Sequence, residues 1–151
     1  MFAASFHWTD RAAVVRTLGR LLEPGGAIVV VKDALTDADQ PDWVRAIDAI
    51  RTRYVGPHLP ALPPHFGRSH HDVLAGSPFS VVETLHWSWR RELTVEQIVG
   101  LQFSYSFSSP VRFGDRAAAF ADDVRAAVLA RHPSGTVVEP VRLDVLIARR
   151  P

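Results

Sequence analysis

A histidine and a tryptophan stand side by side at positions 7 and 8, after a short apolar run and before a polar helix start. An imidazole can hydrogen-bond a substrate carboxylate, and an indole can form the wall of a pocket. Their place in the fold decides whether they do so, because ligands of open α/β sheets bind beyond the carboxyl ends of the strands. The alternative is that His7 and Trp8 only pack against the helix that follows.

A second group of candidates is rich in histidine. His58, His65, His70 and His71 precede Asp72, and histidine and carboxylate side chains are ligands of zinc. Their spacing matches no zinc-ligand signature, so we predict no metal site. A serine hydrolase is also disfavoured, because no serine lies in a Gly-x-Ser-x-Gly elbow.

The residues around the His-Trp pair predict a strand and a helix. Phe2 to Phe6 is an apolar run of strand length, and Thr9 or Asp10 supplies an N-cap oxygen for the helix. The apolar positions of the helix fall on one face and its arginines on the other, which we expect to be exposed. The inward positions are Val14, Val15, Leu18, Leu21 and Leu22, and the outward ones are Arg11, Arg16 and Arg20.

A turn and a second strand complete this unit. Pro24 cannot continue the helix, and Gly25-Gly26 permits a tight reversal of the chain. Residues 27–31 are apolar on both faces, as in a parallel strand covered by helices on each side. The unit is a right-handed βαβ crossover, which places the His-Trp pair beyond the carboxyl end of the first strand.

The rest of the chain predicts further helices and two strands. A helix is predicted to begin at Asp39 or Gln40, and a proline-rich loop is predicted at 56–69. A short helix is predicted at 70–75, and a longer one begins after Asp115. Thr94 and Gln97 predict a capping box for another helix. The strand from Phe79 to Arg90 alternates, and its apolar odd-numbered positions are predicted to face inward. A closing strand is predicted at 141–148. The predicted inward positions are Trp43, Ile47, Ile50 and Tyr54 in the first of these helices, and Phe120, Val124 and Val128 in the last.

Residues 5–10 (Ser-Phe-His-Trp-Thr-Asp), the helix, and residues 21–26 (Leu-Leu-Glu-Pro-Gly-Gly) closely resemble one segment of the class I S-adenosylmethionine-dependent methyltransferases. The segment runs from the fourth to the fifth strand, and the nearest branch contains the trans-aconitate-type enzymes. Residues 93–106 and the closing Ala-Arg-Arg at 148–150 resemble the same branch. The resemblance implies an α/β fold, in which parallel strands and closing antiparallel strands form a partial Rossmann-like sheet with helices on both faces.

The resemblance also implies a reaction, a cofactor and site residues. The reaction is transfer of a methyl group from S-adenosylmethionine to a small molecule, with a carboxylate as one candidate acceptor. Aromatic residues at helical spacing often belong to a core instead, and residues at a strand end often have no role beyond ending it. By the resemblance, the backbone of Ala4 and Ser5 lies near the cofactor. Their position at the ligand edge makes His7 the candidate catalytic residue and Trp8 a candidate substrate-binding residue. The aromatic candidates for lining the substrate pocket are Trp43, Tyr54 and Tyr105.

The chain departs from the family in its glycines. In the family, a glycine-rich turn holds the methionine end of the cofactor and an acidic residue holds its ribose. None of the nine glycines here shows a Gly-x-Gly spacing after a strand. We therefore predict that residues 1–151 form a single domain, the carboxyl-terminal portion of a methyltransferase domain, in which cofactor binding is weak or absent. The alternative function is a cofactor-free interaction or oligomerisation module.

Composition and charge limit the partners. With 17 basic and 16 acidic residues the net charge is +1, so the composition does not indicate a basic surface for binding nucleic acid or an anionic membrane. No apolar run reaches the ~20 residues of a membrane-spanning helix. The absence of cysteine agrees with a cytoplasmic location. We expect a small-molecule substrate and a homodimer formed through the exposed edge of the Phe2–Phe6 strand, because natural proteins avoid uncovered strand edges.

Overall fold

The computed structural model describes residues 1–36, 39–56 and 67–151, which form a mixed α/β fold around a four-stranded sheet. The strands lie in the order β1-β2-β4-β3, where β1 is Phe2–Ala3, β2 is Ala27–Asp33, β3 is Val81–Thr94 and β4 is Thr136–Arg149. β1 is parallel to β2, and β4 is antiparallel to β2. The predicted combination of parallel strands with a closing antiparallel strand is confirmed.

Six α-helices accompany the sheet within the described residues. The predicted short helix at 70–75 is confirmed. Most of the proline-rich segment, including His58 and His65, lies outside the described residues. None of the helices in the described ranges is both long and apolar enough to cross a lipid bilayer. The helices are α1 (Arg11–Leu21), α2 (Asp42–Val55), α3 (His70–Ala75), α4 (Val95–Ser104), α5 (Pro110–Phe113) and α6 (Ala117–Arg131).

The chain divides into two compact units. Unit 1 contains Met1–Leu35, Ala61–Trp89 and Val141–Pro151, and unit 2 contains Thr36–Pro60 and Arg90–Pro140. The core of unit 1 joins one face of the sheet to α1, α3 and the turn after β1, and each fully buried side chain there contributes roughly 1.5–3 kcal/mol. Its buried members are Phe6, Val15, Ile28, Val30, Leu74, Phe79, Leu146 and Ala148.

The core of unit 2 joins α2, α4 and α6, and its predicted inward positions are confirmed except for Tyr54, which is only partly buried and packs against this core. Thr94 and Gln97 form the predicted capping box at the start of α4. The long helix α6 begins at Ala117 instead of following Asp115 directly, because residues 114–116 form a separate 3-10 turn. The predicted positions that are buried are Trp43, Ile47, Ile50, Phe120, Val124 and Val128.

The first strand is shorter than predicted. β1 ends at Ala3, the backbone of Ala4 takes the left-handed conformation with φ +47°, and Phe6 begins a 3-10 turn that runs to Trp8. The prediction of a strand to Phe6 was wrong because this turn carries the Phe6 ring into the core, where it is 1% exposed. The residues of this turn therefore do not pair with β2 as a regular strand would, and an aromatic ring is buried instead.

Two positions of α1 were also assigned to the wrong environment. Arg11, predicted to face solvent, is only 5% exposed, whereas Leu21, predicted to face inward, is 71% exposed. Asp10 is the N-cap, since its carboxylate accepts a hydrogen bond from the Ala13 amide at 2.9 Å. Arg11 therefore occupies the first helical position, where its side chain meets residues 68 and 70 instead of water.

Burial along β3 does not follow the predicted alternation. Val81, Trp87 and Trp89 are 52%, 54% and 46% exposed, and Val82 is the residue of the strand that packs against the core of unit 1. Phe79, which was also predicted to face inward, lies before the strand and is 0% exposed. The prediction was therefore right at Phe79 and wrong at the other three positions, because β3 is an edge strand and most of its residues are exposed.

Candidate functional site

His7 and Trp8 lie where the sequence places them, in the 3-10 turn that follows β1. The ring centroids of the two residues are 4.8 Å apart, His7 is partly buried and Trp8 is 61% exposed. Because β1 and β2 are parallel, this turn lies at the shared carboxyl end of two neighbouring strands. In open α/β sheets this is the edge at which ligands bind.

Ala4 and Ser5 connect β1 to this turn, and both are exposed. The Ala4 amide donates a hydrogen bond to the Val31 carbonyl at 3.1 Å, and the Ser5 carbonyl accepts one from the Trp8 amide at 3.1 Å. A residue other than glycine in the left-handed region costs on the order of 1–2 kcal/mol, and such strain clusters at functional sites. The strained position here is next to the predicted catalytic pair.

A buried arginine and a second histidine lie beside His7. The Arg11 guanidinium donates one hydrogen bond to the Arg68 carbonyl at 2.8 Å, and the same nitrogen lies 3.0 Å from Nδ1 of His70. The His70 ring stacks on His7 at 6.5 Å between centroids and meets the edge of Phe6 at 5.3 Å. These contacts bring together a histidine that the sequence assigned to the site and one that it grouped with metal ligands.

The environment of His70 disfavours its charged form. Burial, and then the positive charges of Arg11, His7 and Lys32, lower the pKa of His70 below its ordinary value. A neutral imidazole has one acceptor nitrogen, and the guanidinium of Arg11 can only donate. Nδ1 of His70 is therefore the acceptor, and the proton of the ring is on Nε2.

Three polar side chains from neighbouring strands, Lys32, Asp144 and His86, contact one another across the sheet. Lys32 follows the apolar part of β2, and its ammonium donates to Asp144 at 2.7 Å, while the other oxygen of Asp144 lies 2.7 Å from Nδ1 of His86. The Lys32 ammonium, and secondarily His86, hold the pKa of Asp144 below its ordinary range. Asp144 fixes the orientation of the His86 ring, which leaves Nε2 directed away from this contact.

Two cavities adjoin these residues within unit 1. The first has a volume of about 380 Å³ and lies beside the middle of β3 and β4, just after the end of β2; it is lined by Ala34, His86, Trp87, Ser88, Arg142, Leu143 and Asp144. The second has a volume of about 430 Å³ and lies at the start of α1; we call it the α1 pocket. It is lined by Asp10, Arg11, Ala12, Val15, Arg16, Gly67, Arg68, Val73, Gly76, Ser77 and Pro78.

The remaining predicted site residues belong to unit 2. Trp43 is 2% exposed inside the core of that unit, and Tyr105 is 36% exposed and stacks on Phe107 with ring centroids 5.1 Å apart. The Tyr54 hydroxyl donates to Asp123 at 3.0 Å, and burial and this contact raise the pKa of Tyr54. The predicted site residues therefore fall into two groups, one at the end of β1 and one in unit 2, and their roles in binding stay predictions.

Sequence reasoning did not find Lys32, Asp144, His86 or Arg11. Lys32 carries a usable signal, because it is the first charged residue after an apolar strand and stands at its carboxyl end. Asp144 and His86 become partners only through the order β2-β4-β3, which no local pattern encodes. Within the described ranges, no three side chains of the metal-binding types lie close enough together to hold an ion.

Among solved structures, one that resembles the chain only distantly is that of a bacterial protein. No protein-family model and no curated protein matches the chain. The structure of a "putative type II methyltransferase" from Anaeromyxobacter dehalogenans is similar at 21% identity with a TM-score of 0.40, over 98% of this chain and 62% of that one. The chain thus spans less than two thirds of that protein, and we base no functional conclusion on a similarity of this size.

Proposed function

We propose that this chain is part of a methyltransferase that uses S-adenosylmethionine and acts on a small molecule carrying a carboxylate group. The observation that supports the proposal best is the placement of His7 and Trp8. They lie in a turn at the carboxyl end of β1, which is parallel to β2, and the residues that carry the family resemblance are the ones that build this turn.

The described residues fit the cofactor at one side only. Ala4 and Ser5 are small and exposed at the ligand edge, so their backbone can lie against a bound nucleoside. Neither β1 nor β2 is followed by a Gly-x-Gly turn. Each missing hydrogen bond to a charged or buried group weakens binding by about 1–3 kcal/mol, so we expect this chain alone to bind S-adenosylmethionine weakly.

The bound cofactor would supply the methyl group, and the chain's own residues would hold the acceptor. His7 orients the substrate carboxylate by a hydrogen bond, and the exposed face of Trp8 forms a wall that excludes water. Methyl transfer depends chiefly on alignment of the two reacting atoms, so a residue that fixes the acceptor controls the rate.

The proposal is tested by incubating the protein with S-adenosylmethionine and a panel of small carboxylic acids, and measuring S-adenosylhomocysteine by mass spectrometry. We expect product that depends on both protein and acceptor. His7→Ala should lower the rate at least tenfold, about 1.4 kcal/mol of transition-state stabilisation, with little change in melting temperature. His71→Ala is the matched control, because His71 is an exposed histidine outside the turn and should leave the rate unchanged.

Two outcomes would contradict the proposal. Absence of product with every acceptor would favour a non-enzymatic interaction module, the alternative that the sequence leaves open. Full activity of His7→Ala combined with a lower melting temperature would make His7 a structural residue and would remove the assigned site.

A further inference from the structure

The α1 pocket is unusually rich in arginine for its size. Three arginines, Arg11, Arg16 and Arg68, line a cavity of about 430 Å³, which lies within the range of small-molecule pockets. Asp10 is the one carboxylate among the described residues that line it. The lining therefore carries three positive charges against one negative charge, and it favours an anionic ligand.

Some of these charged groups already form hydrogen bonds within the protein. Asp10 caps α1 through the Ala13 amide, and Arg11 is held by the Arg68 carbonyl and by His70. Arg68 uses one nitrogen to donate to the Asp72 carbonyl at 2.9 Å. Arg16 forms no ion pair with any residue in the described part of the chain, and its side chain is exposed at the mouth of the pocket.

Much of the rest of the lining is apolar. Val15, which is 2% exposed, and Val73 and Pro78 form a wall whose side chains offer no hydrogen bond to a polar ligand. A planar guanidinium matches a carboxylate with two parallel hydrogen bonds, which a simple point charge does not provide. The two kinds of lining therefore complement a molecule with a carboxylate at one end and a short aliphatic body at the other.

We propose that the α1 pocket binds a small aliphatic carboxylate, with the carboxylate at Arg16 and Arg68 and the aliphatic body against Val15 and Val73. The pocket reaches the predicted catalytic pair through a short series of contacts, because Arg11 lines it, donates to His70, and His70 stacks on His7. As an acceptor site this inference rests on the proposed function, but ligand binding itself needs no cofactor.

The test is an NMR titration of the whole chain with hexanoate, in the absence of S-adenosylmethionine. We expect a dissociation constant of roughly millimolar size, as befits a ligand of few atoms, and shifts of the amide signals of Val73 and Ser77. Hexanamide, which has the same shape without the charge, should bind at least tenfold more weakly. Acetate, which lacks the aliphatic body, should also bind more weakly.

Substitutions locate the site. Arg16→Gln should weaken hexanoate binding about tenfold, whereas Arg20→Gln, one turn further along the exposed face of α1 and outside the pocket lining, should leave it unchanged. Arg68→Gln should also weaken hexanoate binding, which gives a second, independent test of the site. Both Arg16 and Arg20 are exposed, so neither change should alter the melting temperature.

Three results would overturn the inference: equal binding of hexanoate and hexanamide, equal effects of Arg16→Gln and Arg20→Gln, or inorganic phosphate competing as strongly as hexanoate. The last would indicate a general anion site without use of the apolar wall. The titration contains no cofactor, so its result does not depend on methyl transfer. A negative titration would not contradict the proposed methyltransferase activity, and a negative methyl-transfer assay would not contradict ligand binding in the α1 pocket.

Discussion

His70 and Arg11 illustrate how one hydrogen bond fixes the state of a titrating side chain. The guanidinium of Arg11 can only donate, so its contact with Nδ1 at 3.0 Å requires the neutral imidazole. Protonation of the ring would place a donor against a donor and a positive charge beside Arg11, His7 and Lys32. The fold therefore binds the proton of His70 less readily than the unfolded chain does.

The pH dependence of stability follows from this difference. Because the pKa of His70 in the fold is below its ordinary value of 6.5, its contribution to stability is present above pH 6.5 and is lost as the pH falls through the lowered pKa. His70→Asn keeps an acceptor oxygen for Arg11 but does not titrate. We expect its free energy of unfolding, from urea denaturation, to fall less between pH 7 and pH 5 than that of the unchanged protein.

The neighbouring histidine provides the control for this prediction. His71 is exposed and lies next to Asp72, outside the contact with Arg11. His71→Asn should keep the full pH dependence. If His71→Asn reduced it as much as His70→Asn does, the acid sensitivity would not arise from the Arg11 contact.

At the scale of elements, local signals were predictable and long-range ones were not. The helix at 70–75 and the capping box at Thr94 depend on residues three or four positions apart, and the sequence predicted both. The burial of Arg11 depends on partners 57 and 59 positions further along the chain, so its polarity alone gave the wrong environment. The candidate site divides in the same way, since the position of His7 after the first strand was predicted, whereas the 3-10 turn that holds it and the Lys32–Asp144–His86 contacts were not.

The end of β1 yields a prediction about strand termination. Ala4 has φ +47° and an exposed side chain, so replacing it with glycine removes strain without removing packing. Ala4→Gly should raise the free energy of unfolding by about 1 kcal/mol, measured by urea denaturation. Ala3→Gly, one residue earlier and within β1, should instead lower it by roughly 0.5–1 kcal/mol.

The opposite result would be informative about the turn. A loss of stability in Ala4→Gly would mean that the left-handed backbone at this position is not a source of strain in solution. The pairing of the Ala4 amide with Val31 would then have to be held by the neighbouring residues alone.

At the scale of the whole molecule, the two edges of the sheet differ in length. Within the described residues β1 pairs only with β2 and contributes two residues, whereas β3 forms the other edge with fourteen. The sequence predicted self-association through the first strand. A second copy of the chain would find far more backbone to pair with along β3, where Trp87 and Trp89 are exposed.

We therefore expect concentration-dependent self-association in sedimentation velocity. Changing both Trp87 and Trp89 to threonine, which favours strands but is polar, should shift the protein towards the monomer. Trp8→Thr is the matched control, because Trp8 is equally exposed but lies outside the sheet. A single monomeric species for the unchanged protein at every concentration would contradict the expectation.

The central position of β4 has a consequence for biosynthesis. β4 follows β2 and β3 along the chain but lies between them in the sheet, so β3 is joined to β2 only through residues that leave the ribosome later. Until then one edge of β2 is unpaired, and the aromatic strand β3 has no partner strand from this sheet. Contacts between such distant segments form slowly, and uncovered strands of this kind are the surfaces that chaperones bind on nascent chains. The yield of folded protein in a cell should accordingly depend on chaperone capacity during translation more than on the final stability of the sheet.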